Sequence, residues 1–157
     1  MIAVVMGVSG AGKSAIGAAL AGELGWRFID ADDYHPEANV AKMAAGQPLD
    51  DADRWPWLDR LNAAMKKEKK AVVACSALKE RYRQRLARGI EQIEWVYLKG
   101  DFDLIRSRLL ARQHRYMPAT LLESQFAALE PPGQAITVDV SADIAACVAA
   151  IARELRR

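Results

Sequence analysis

Cysteine is scarce in this chain, whose 157 residues include only Cys75 and Cys147. Neither belongs to a CxxC pair, and no cluster of histidine and cysteine accompanies them, which argues against a structural zinc site. Each cysteine lies in an apolar segment. We therefore expect both to be small buried hydrophobic residues and not the halves of a disulfide.

Long apolar runs and a strong charge of one sign are also absent. No run reaches the roughly eighteen residues of a membrane span, and the apolar N-terminus lacks the basic start and the cleavage site of a signal peptide. The formal net charge of +2 is too small to argue for a nucleic-acid partner. We expect one folded domain over residues 1–157, located in the cytoplasm and without a membrane partner.

Short apolar runs alternate with helical segments along the chain. Buried strands are predicted over residues 2–6, 26–29, 71–75, 93–98 and 136–140. Helices are predicted over residues 13–24, 37–45, 54–67, 77–88, 101–112 and 119–129, with Ser141 capping a last one. This alternation predicts an α/β fold, in which helices cover both faces of a parallel sheet.

The segment GVSGAGKS, residues 7–14, fits the phosphate-binding pattern G-x-x-x-x-G-K-[ST]. Its glycines let the backbone turn tightly around phosphates, and the helix that follows adds its positive end. Lys13 would pair with the β- and γ-phosphates of ATP, and the Ser14 hydroxyl with Mg²⁺. The residues predicted to bind the nucleotide here are Gly7, Val8, Ser9, Gly10, Ala11, Gly12, Lys13, Ser14 and Ala15. Because the NKxD motif of GTPases is absent, a small-molecule kinase is favoured.

The segment DADDYHP, residues 30–36, follows the second predicted strand. Because ligands of parallel sheets bind at the carboxyl ends of strands, we predict that Asp32 orients an acceptor hydroxyl and takes its proton. Asp33 is expected to be solvated, and His35 either contacts the substrate or braces the loop. Arg54, at the head of a predicted helix, suits a two-point contact with an acceptor carboxylate.

Two basic segments supply further candidates. Residues four apart share a helix face, so Lys79 and Arg83 are predicted to face the substrate, and Arg81 is expected at the surface. Arg108 and Arg112 are also four apart, and a nearby anion would relieve their mutual repulsion. We predict a lid over about residues 112–119, in which Arg112 stabilises the transferring phosphoryl group. Arg108, which precedes the lid, is predicted to help bind ATP.

Several blocks taken together resemble the gluconate kinase (gluconokinase) family. They are GVSGAGKS, DADDYHPEANVAKMAAGQPLDDADRWPWL, ACSALKERYR, VYLKGDFDLI and LLESQFAALEPP, in order over nearly the whole chain. The resemblance implies a three-layer P-loop kinase fold with strand order 2-3-1-4-5, related to shikimate and nucleoside-monophosphate kinases. It also implies a homodimeric enzyme that uses ATP and Mg²⁺ to convert D-gluconate to 6-phospho-D-gluconate.

The resemblance also carries over site residues, by the family motifs that they match. These are Lys13, Ser14, Asp32, His35, Arg54, Lys79, Arg83 and Arg112. The lid departs from the family's common AR-x-GHF, since His114 stands at the glycine and Arg115 at the histidine. A related aldonate or a shikimate-like acid thus stays open as the acceptor, as does a non-catalytic ATP-binding module. The short stretch 131–135 is expected to border the adenine pocket.

Overall fold

A five-stranded parallel sheet forms the centre of the protein, with strand order β2-β3-β1-β4-β5. The structure is a computed structural model that describes residues 1–111 and 119–157. The strands are β1 (Ile2–Met6), β2 (Arg27–Asp30), β3 (Ala71–Ala74), β4 (Ile93–Lys99) and β5 (Ile136–Asp139). The predicted α/β class and strand order are therefore confirmed.

Helices cover both faces of this sheet. The described helices are α1 (Lys13–Leu24), α2 (Glu37–Ala44), α3 (Asp51–Lys66), α4 (Glu80–Leu86), α5 (Phe102–Ala111), α6 (Ala119–Ala128) and α7 (Ile144–Leu155). Successive side chains of a strand point to opposite faces, so Val5 of β1 packs into one core cluster and Val4 into the other. The first cluster includes Leu20 of α1 and Ile151 of α7, and the second includes Leu61 of α3. Continuous burial of β1 explains its uninterrupted apolar sequence.

The helix α3 begins earlier than the sequence predicts. The sequence predicts a helix over residues 54–67, yet the helix starts at Asp51 because Asp50 and Asp53 form a reciprocal capping box. The Asp53 amide donates to Asp50 Oδ1 at 2.8 Å, and the Asp50 amide donates to Asp53 Oδ2 at 3.0 Å. Arg54 consequently lies in the first turn of the helix, which fixes its position relative to the strand ends.

Two other helix starts also differ from the prediction. The helix expected from Ala77 begins only at Glu80, because Ala77 has a φ of 44° and Lys79 is extended. In the last helix the cap is Asp143 and not Ser141, since Asp143 Oδ1 accepts the Ala146 amide hydrogen at 2.8 Å. The stretch before α4 is therefore a loop that follows β3.

The structure also bears on the expectations for the two cysteines and for membrane-spanning helices. Cys75 and Cys147 are both buried and free, as predicted. Burial raises the pKa of the Cys75 thiol to about 12, so this side chain is a neutral part of the core. Over residues 1–111 and 119–157, the helices are too short or too polar to cross a membrane.

Candidate active site

An open cleft of about 1030 Å³ lies where the carboxyl ends of β1, β2 and β3 meet. The Gly7 amide donates to the Ser76 carbonyl at 3.3 Å, which ties the loop after β1 to the loop after β3. Seven of the predicted site residues line the cleft together: Ser9, Lys13, Ser14, Asp32, His35, Arg54 and Lys79. Residues that are far apart in the sequence thus meet at the edge where parallel sheets bind ligands.

The P-loop, residues 7–14, has the geometry of an anion site. Gly10 and Gly12 have φ angles of 85° and 95°, a left-handed conformation that favours glycine. Gly12 precedes α1, whose first turn contains no acidic residue and whose N-terminus receives no side-chain cap. The first amides of a helix have no partner within it, so this N-terminus is available to bind phosphate. Lys13 Nζ lies over the loop and donates to the Val8 carbonyl at 3.0 Å.

Asp30, which the sequence analysis did not select, connects the P-loop to the acidic turn, residues 30–34. The Ser14 hydroxyl donates to Asp30 Oδ2 at 2.9 Å, and the Asp32 amide donates to Asp30 Oδ1 at 3.0 Å. Hydroxyl and carboxylate oxygens are the ligands that Mg²⁺ prefers. Within the described part of the chain, no group of three or more His, Cys, Asp or Glu side chains could hold a metal. Phosphate and water oxygens would therefore complete any Mg²⁺ shell here.

Besides Asp30, the acidic turn presents one further carboxylate to the cleft, that of Asp32. Asp32 is solvent-exposed on a 3₁₀ turn and lines the cleft, whereas its neighbour Asp33 is exposed but lies outside the lining. The Trp57 indole N–H donates to the Ala31 carbonyl at 2.7 Å, which anchors the turn to α3. The expected division between a functional Asp32 and a solvated Asp33 agrees with this placement.

His35 follows the acidic turn and is held on two sides. Its ring stacks on the Trp57 ring, with centroids 4.2 Å apart and planes 15° from parallel. The Asn39 amide nitrogen lies 3.2 Å from His35 Nδ1. Burial is the main cause that lowers the pKa of His35, and the nearby Arg54 lowers it further, while Asp32 raises it. The ring is therefore biased towards its neutral form.

A cluster of four side chains lines part of the cleft, and we call it the arginine cluster: Asp51, Arg54, Arg81 and Tyr82. The Asp51 carboxylate accepts from Arg81 Nε at 2.7 Å and from the Tyr82 hydroxyl at 2.6 Å. Arg54 donates to the Tyr82 hydroxyl at 3.2 Å and lies 3.5 Å from Asp51. The Tyr82 hydrogen bond is the largest cause that lowers the pKa of Asp51, followed by the bond from Arg81.

Arg81 and Arg83 have exchanged the positions that the sequence predicts. Arg81, expected at the surface, lines the cleft. Arg83, expected to face the substrate, has a buried side chain and lies outside the cleft lining. Its guanidinium donates to the Ala77 carbonyl at 2.7 Å and to the Glu130 carbonyl at 2.8 Å, so it braces two loops. The predicted contact of Arg83 with the substrate is therefore wrong. Lys79 and Arg83 do not share a helix face, because Lys79 precedes the first residue of α4.

Gln125 of α6 is a second residue that sequence reasoning missed. Its Oε1 accepts the Ser9 amide hydrogen at 2.8 Å, and its Nε2 donates to the Ser9 hydroxyl at 3.1 Å. Both polar ends of the amide thus hold one residue of the P-loop. The motif SQF-x-x-LE-P, which contributes to the family resemblance, includes this glutamine but gave no indication of its partner.

The remaining predictions concern the nucleotide side. Arg112 and most of the predicted lid, residues 112–118, lie outside the described residues. Arg108 does not line the cleft, and its charge acts on Asp139 at the carboxyl end of β5, so its contact with ATP stays a prediction. The segment 132–135 lines a separate cleft beside Ile93 and Ile136, which begin β4 and β5. Its expected role at the adenine pocket is not supported by this position.

The fold and the cleft together define a P-loop kinase of the small-molecule type. A family model described as shikimate kinase matches residues 9–129. A probable gluconokinase of Xenopus tropicalis is 44% identical, with 100% of this chain and 94% of the relative covered. The thermoresistant gluconokinase of Escherichia coli (strain K12) is 41% identical, covering 99% of this chain and 94% of the relative. A solved gluconokinase from Sinorhizobium meliloti 1021 superposes with a TM-score of 0.91 at 39% identity, covering 99% and 91% of the two chains. The chain belongs to the gluconokinase family.

Proposed function

We propose that this protein transfers the γ-phosphoryl group of ATP to the 6-hydroxyl group of D-gluconate, producing 6-phospho-D-gluconate and ADP. The observation that carries the proposal is the cleft itself, which combines a phosphate-binding loop, an exposed carboxylate and a pair of arginines. These three features match the three chemical parts of the reaction, namely a polyphosphate, a hydroxyl group and a carboxylate. Family membership supports gluconate as the acceptor.

On the nucleotide side, the α1 N-terminus and Lys13 bind the β- and γ-phosphates and offset their charge. Mg²⁺, when bound, neutralises further charge on these phosphates, and the oxygens of Ser14 and Asp30 fit it. On the acceptor side, Asp32 orients the 6-hydroxyl group and takes its proton. The hydroxyl oxygen forms the new bond to phosphorus while the bond from the γ-phosphorus to the ADP oxygen breaks.

The arginine cluster is suited to the acceptor's carboxylate. Two guanidinium groups share one carboxylate, Asp51, so the cluster keeps a net charge of +1, and Lys79 adds another positive charge to the same cleft. Asp51 and the Tyr82 hydroxyl orient the two arginines, which reduces the entropy lost when a ligand binds. We therefore propose that Arg54 and Arg81 together bind the carboxylate of gluconate.

The assignment of Arg81 leads to a specific expectation. Arg81→Gln removes one charged donor from the acceptor's carboxylate, so the KM for gluconate should rise about 10-fold or more, with kcat changed little. Arg54→Lys should have a similar effect, because lysine lacks the two-point geometry. Steady-state kinetics with varied gluconate provides the measurement. Arg85→Gln is the matched control, since Arg85 is on the same helix but pairs with Asp59 outside the cleft. An unchanged KM in Arg81→Gln would contradict the assignment.

An acceptor screen tests the function directly. With ATP and Mg²⁺, we expect release of ADP to be strongly stimulated by D-gluconate and only weakly by shikimate or other sugar acids. Faster turnover with another aldonate would reassign the acceptor, which the sequence departures at His114 and Arg115 motivate. Binding of ATP without stimulation by any acceptor would instead indicate a non-catalytic module. The homodimer and the cytoplasmic location stay predictions.

A further inference from the structure

The inference concerns Asn39, a polar residue of α2 whose side chain the sequence analysis did not select. Asn39 is 2% exposed, which is unusual for a polar side chain. Its amide nitrogen donates to the Asp53 carbonyl at 2.9 Å and lies 3.2 Å from His35 Nδ1. A buried amide with two defined contacts restricts the groups that it touches.

These two contacts determine which nitrogen of His35 carries the hydrogen. The Asp53 carbonyl can only accept a hydrogen bond, so the amide nitrogen of Asn39, and not its oxygen, must face it. The same nitrogen has a second hydrogen, and it cannot act as an acceptor. His35 Nδ1 must therefore accept this hydrogen through its lone pair. In the neutral ring, the remaining hydrogen is then on Nε2.

The neighbouring side chains hold the His35 ring in this orientation. His35 stacks on Trp57, whose indole N–H is itself bonded to the Ala31 carbonyl. Asp53, which anchors Asn39, is fixed by the capping box of α3 and by Lys42 Nζ at 2.7 Å from its carboxylate. Among residues 1–111 and 119–157, none forms a hydrogen bond with His35 Nε2, and the ring lines the cleft.

We propose that Asn39 is a positioning residue that fixes His35 as a neutral Nε2–H donor to a hydroxyl oxygen of the acceptor. The proposal rests on the proposed function, because it requires a polyol in the cleft. A hydroxyl group can both accept and donate a hydrogen bond. His35 then donates to a hydroxyl oxygen of the acceptor, while Asp32 accepts the hydrogen of the hydroxyl group that reacts. It also joins the two roles that the sequence left open for His35, since the same ring braces the loop and contacts the substrate.

The first test reads the tautomer and does not depend on turnover. The chain has only two histidines, His35 and His114, so a His114→Gln variant leaves a single ring to observe. Nitrogen NMR at about pH 8, where an ordinary histidine is neutral, should show a protonated Nε2 and an unprotonated Nδ1. A protonated Nδ1 in this variant would overturn the proposal, even if the enzyme phosphorylates gluconate.

The second test reverses the donor. In Asn39→Asp the side chain can only accept from the ring, so the hydrogen should move to Nδ1 and the KM for gluconate should rise roughly 5- to 10-fold, while the KM for ATP stays unchanged. In a His35→Gln background, where no tautomer exists, adding Asn39→Asp should change the KM for gluconate less than 2-fold or so. An equal loss in both backgrounds would indicate a purely structural role for Asn39 and would overturn the proposal. If Asn39→Asp does not fold, the NMR experiment on His114→Gln still decides the question.

Discussion

Asp32→Asn is expected to lower kcat for gluconate by about 10²- to 10⁴-fold, the range that a positioned general base contributes. Asparagine keeps the size of the side chain and one hydrogen-bonding oxygen, but it cannot take a proton from the acceptor hydroxyl. The acceptor should still bind, because the proposed binding mode assigns its carboxylate to the arginine cluster, which does not include Asp32. The loss should thus appear in kcat and not in the KM for gluconate.

Asp33→Asn provides the matched control for this experiment. Asp33 lies next to Asp32 on the same 3₁₀ turn and carries the same charge, but it is outside the cleft lining. A coupled assay of ADP release should find Asp33→Asn within about 2-fold of the parent, as is usual for exposed positions. Equal losses in the two variants would mean that the charge of the turn matters and not the position of one carboxylate. Full activity of Asp32→Asn would exclude Asp32 as the base.

Local spacing was sufficient to locate the P-loop. The P-loop pattern is made of a strand, a glycine-rich turn and a helix, all within residues 2–24, so a short stretch of sequence is enough to recognise it. The same holds for Asp32, because the carboxyl end of β2 determines which edge of the sheet it reaches. The strand order itself came from the resemblance to a family, since alternation of strands and helices does not specify which strands are neighbours.

Periodicity failed where a distant backbone determines the orientation of a helix. It correctly states that residues three and four apart share a face, but not which face points towards the cleft. In α4, the Glu130 carbonyl lies on the side of Arg83 and Asp51 lies on the side of Arg81. Both partners come from other helices or loops, so the burial of one arginine and the cleft position of the other follow from tertiary contacts. The late start of α4 has a different cause, which is the local backbone: Ala77 has a positive φ that the sequence does not signal.

Buried polar partners were the other feature that sequence reasoning missed. Asn39 and Gln125 lie in helices whose composition favours ordinary surface or core positions, and their roles depend on their hydrogen-bond partners, His35 and Ser9. Asp30 is similar, because its bond with Ser14 requires β1 and β2 to be placed on either side of β3. Such residues act on the site through a neighbour, and a single sequence contains no pattern for this kind of pairing.

Lys13→Met is expected to cause the second large loss, at least about 10²-fold in kcat, with weaker binding of ATP. Methionine keeps the length and the apolar stem of the side chain, so the substitution removes mainly the ammonium group. Lys13 belongs to the P-loop and lines the cleft, and in the proposed reaction its ammonium group offsets the negative charge that develops on ADP as the γ-phosphoryl group leaves. The backbone amides of the loop remain, and so some affinity for phosphate should persist.

Lys67→Met is the control for Lys13→Met, because Lys67 is an exposed lysine at the end of α3 and lies outside the cleft lining. Calorimetry with gluconate alone should give the same affinity for Lys13→Met and the parent, since the proposed binding mode assigns the acceptor's carboxylate to the arginine cluster and not to the P-loop. A combined loss of gluconate and ATP binding would indicate a collapsed cleft and not a missing charge. Near-normal turnover would mean that the amides and Mg²⁺ alone offset the phosphate charge, and the proposed role of Lys13 would then be wrong.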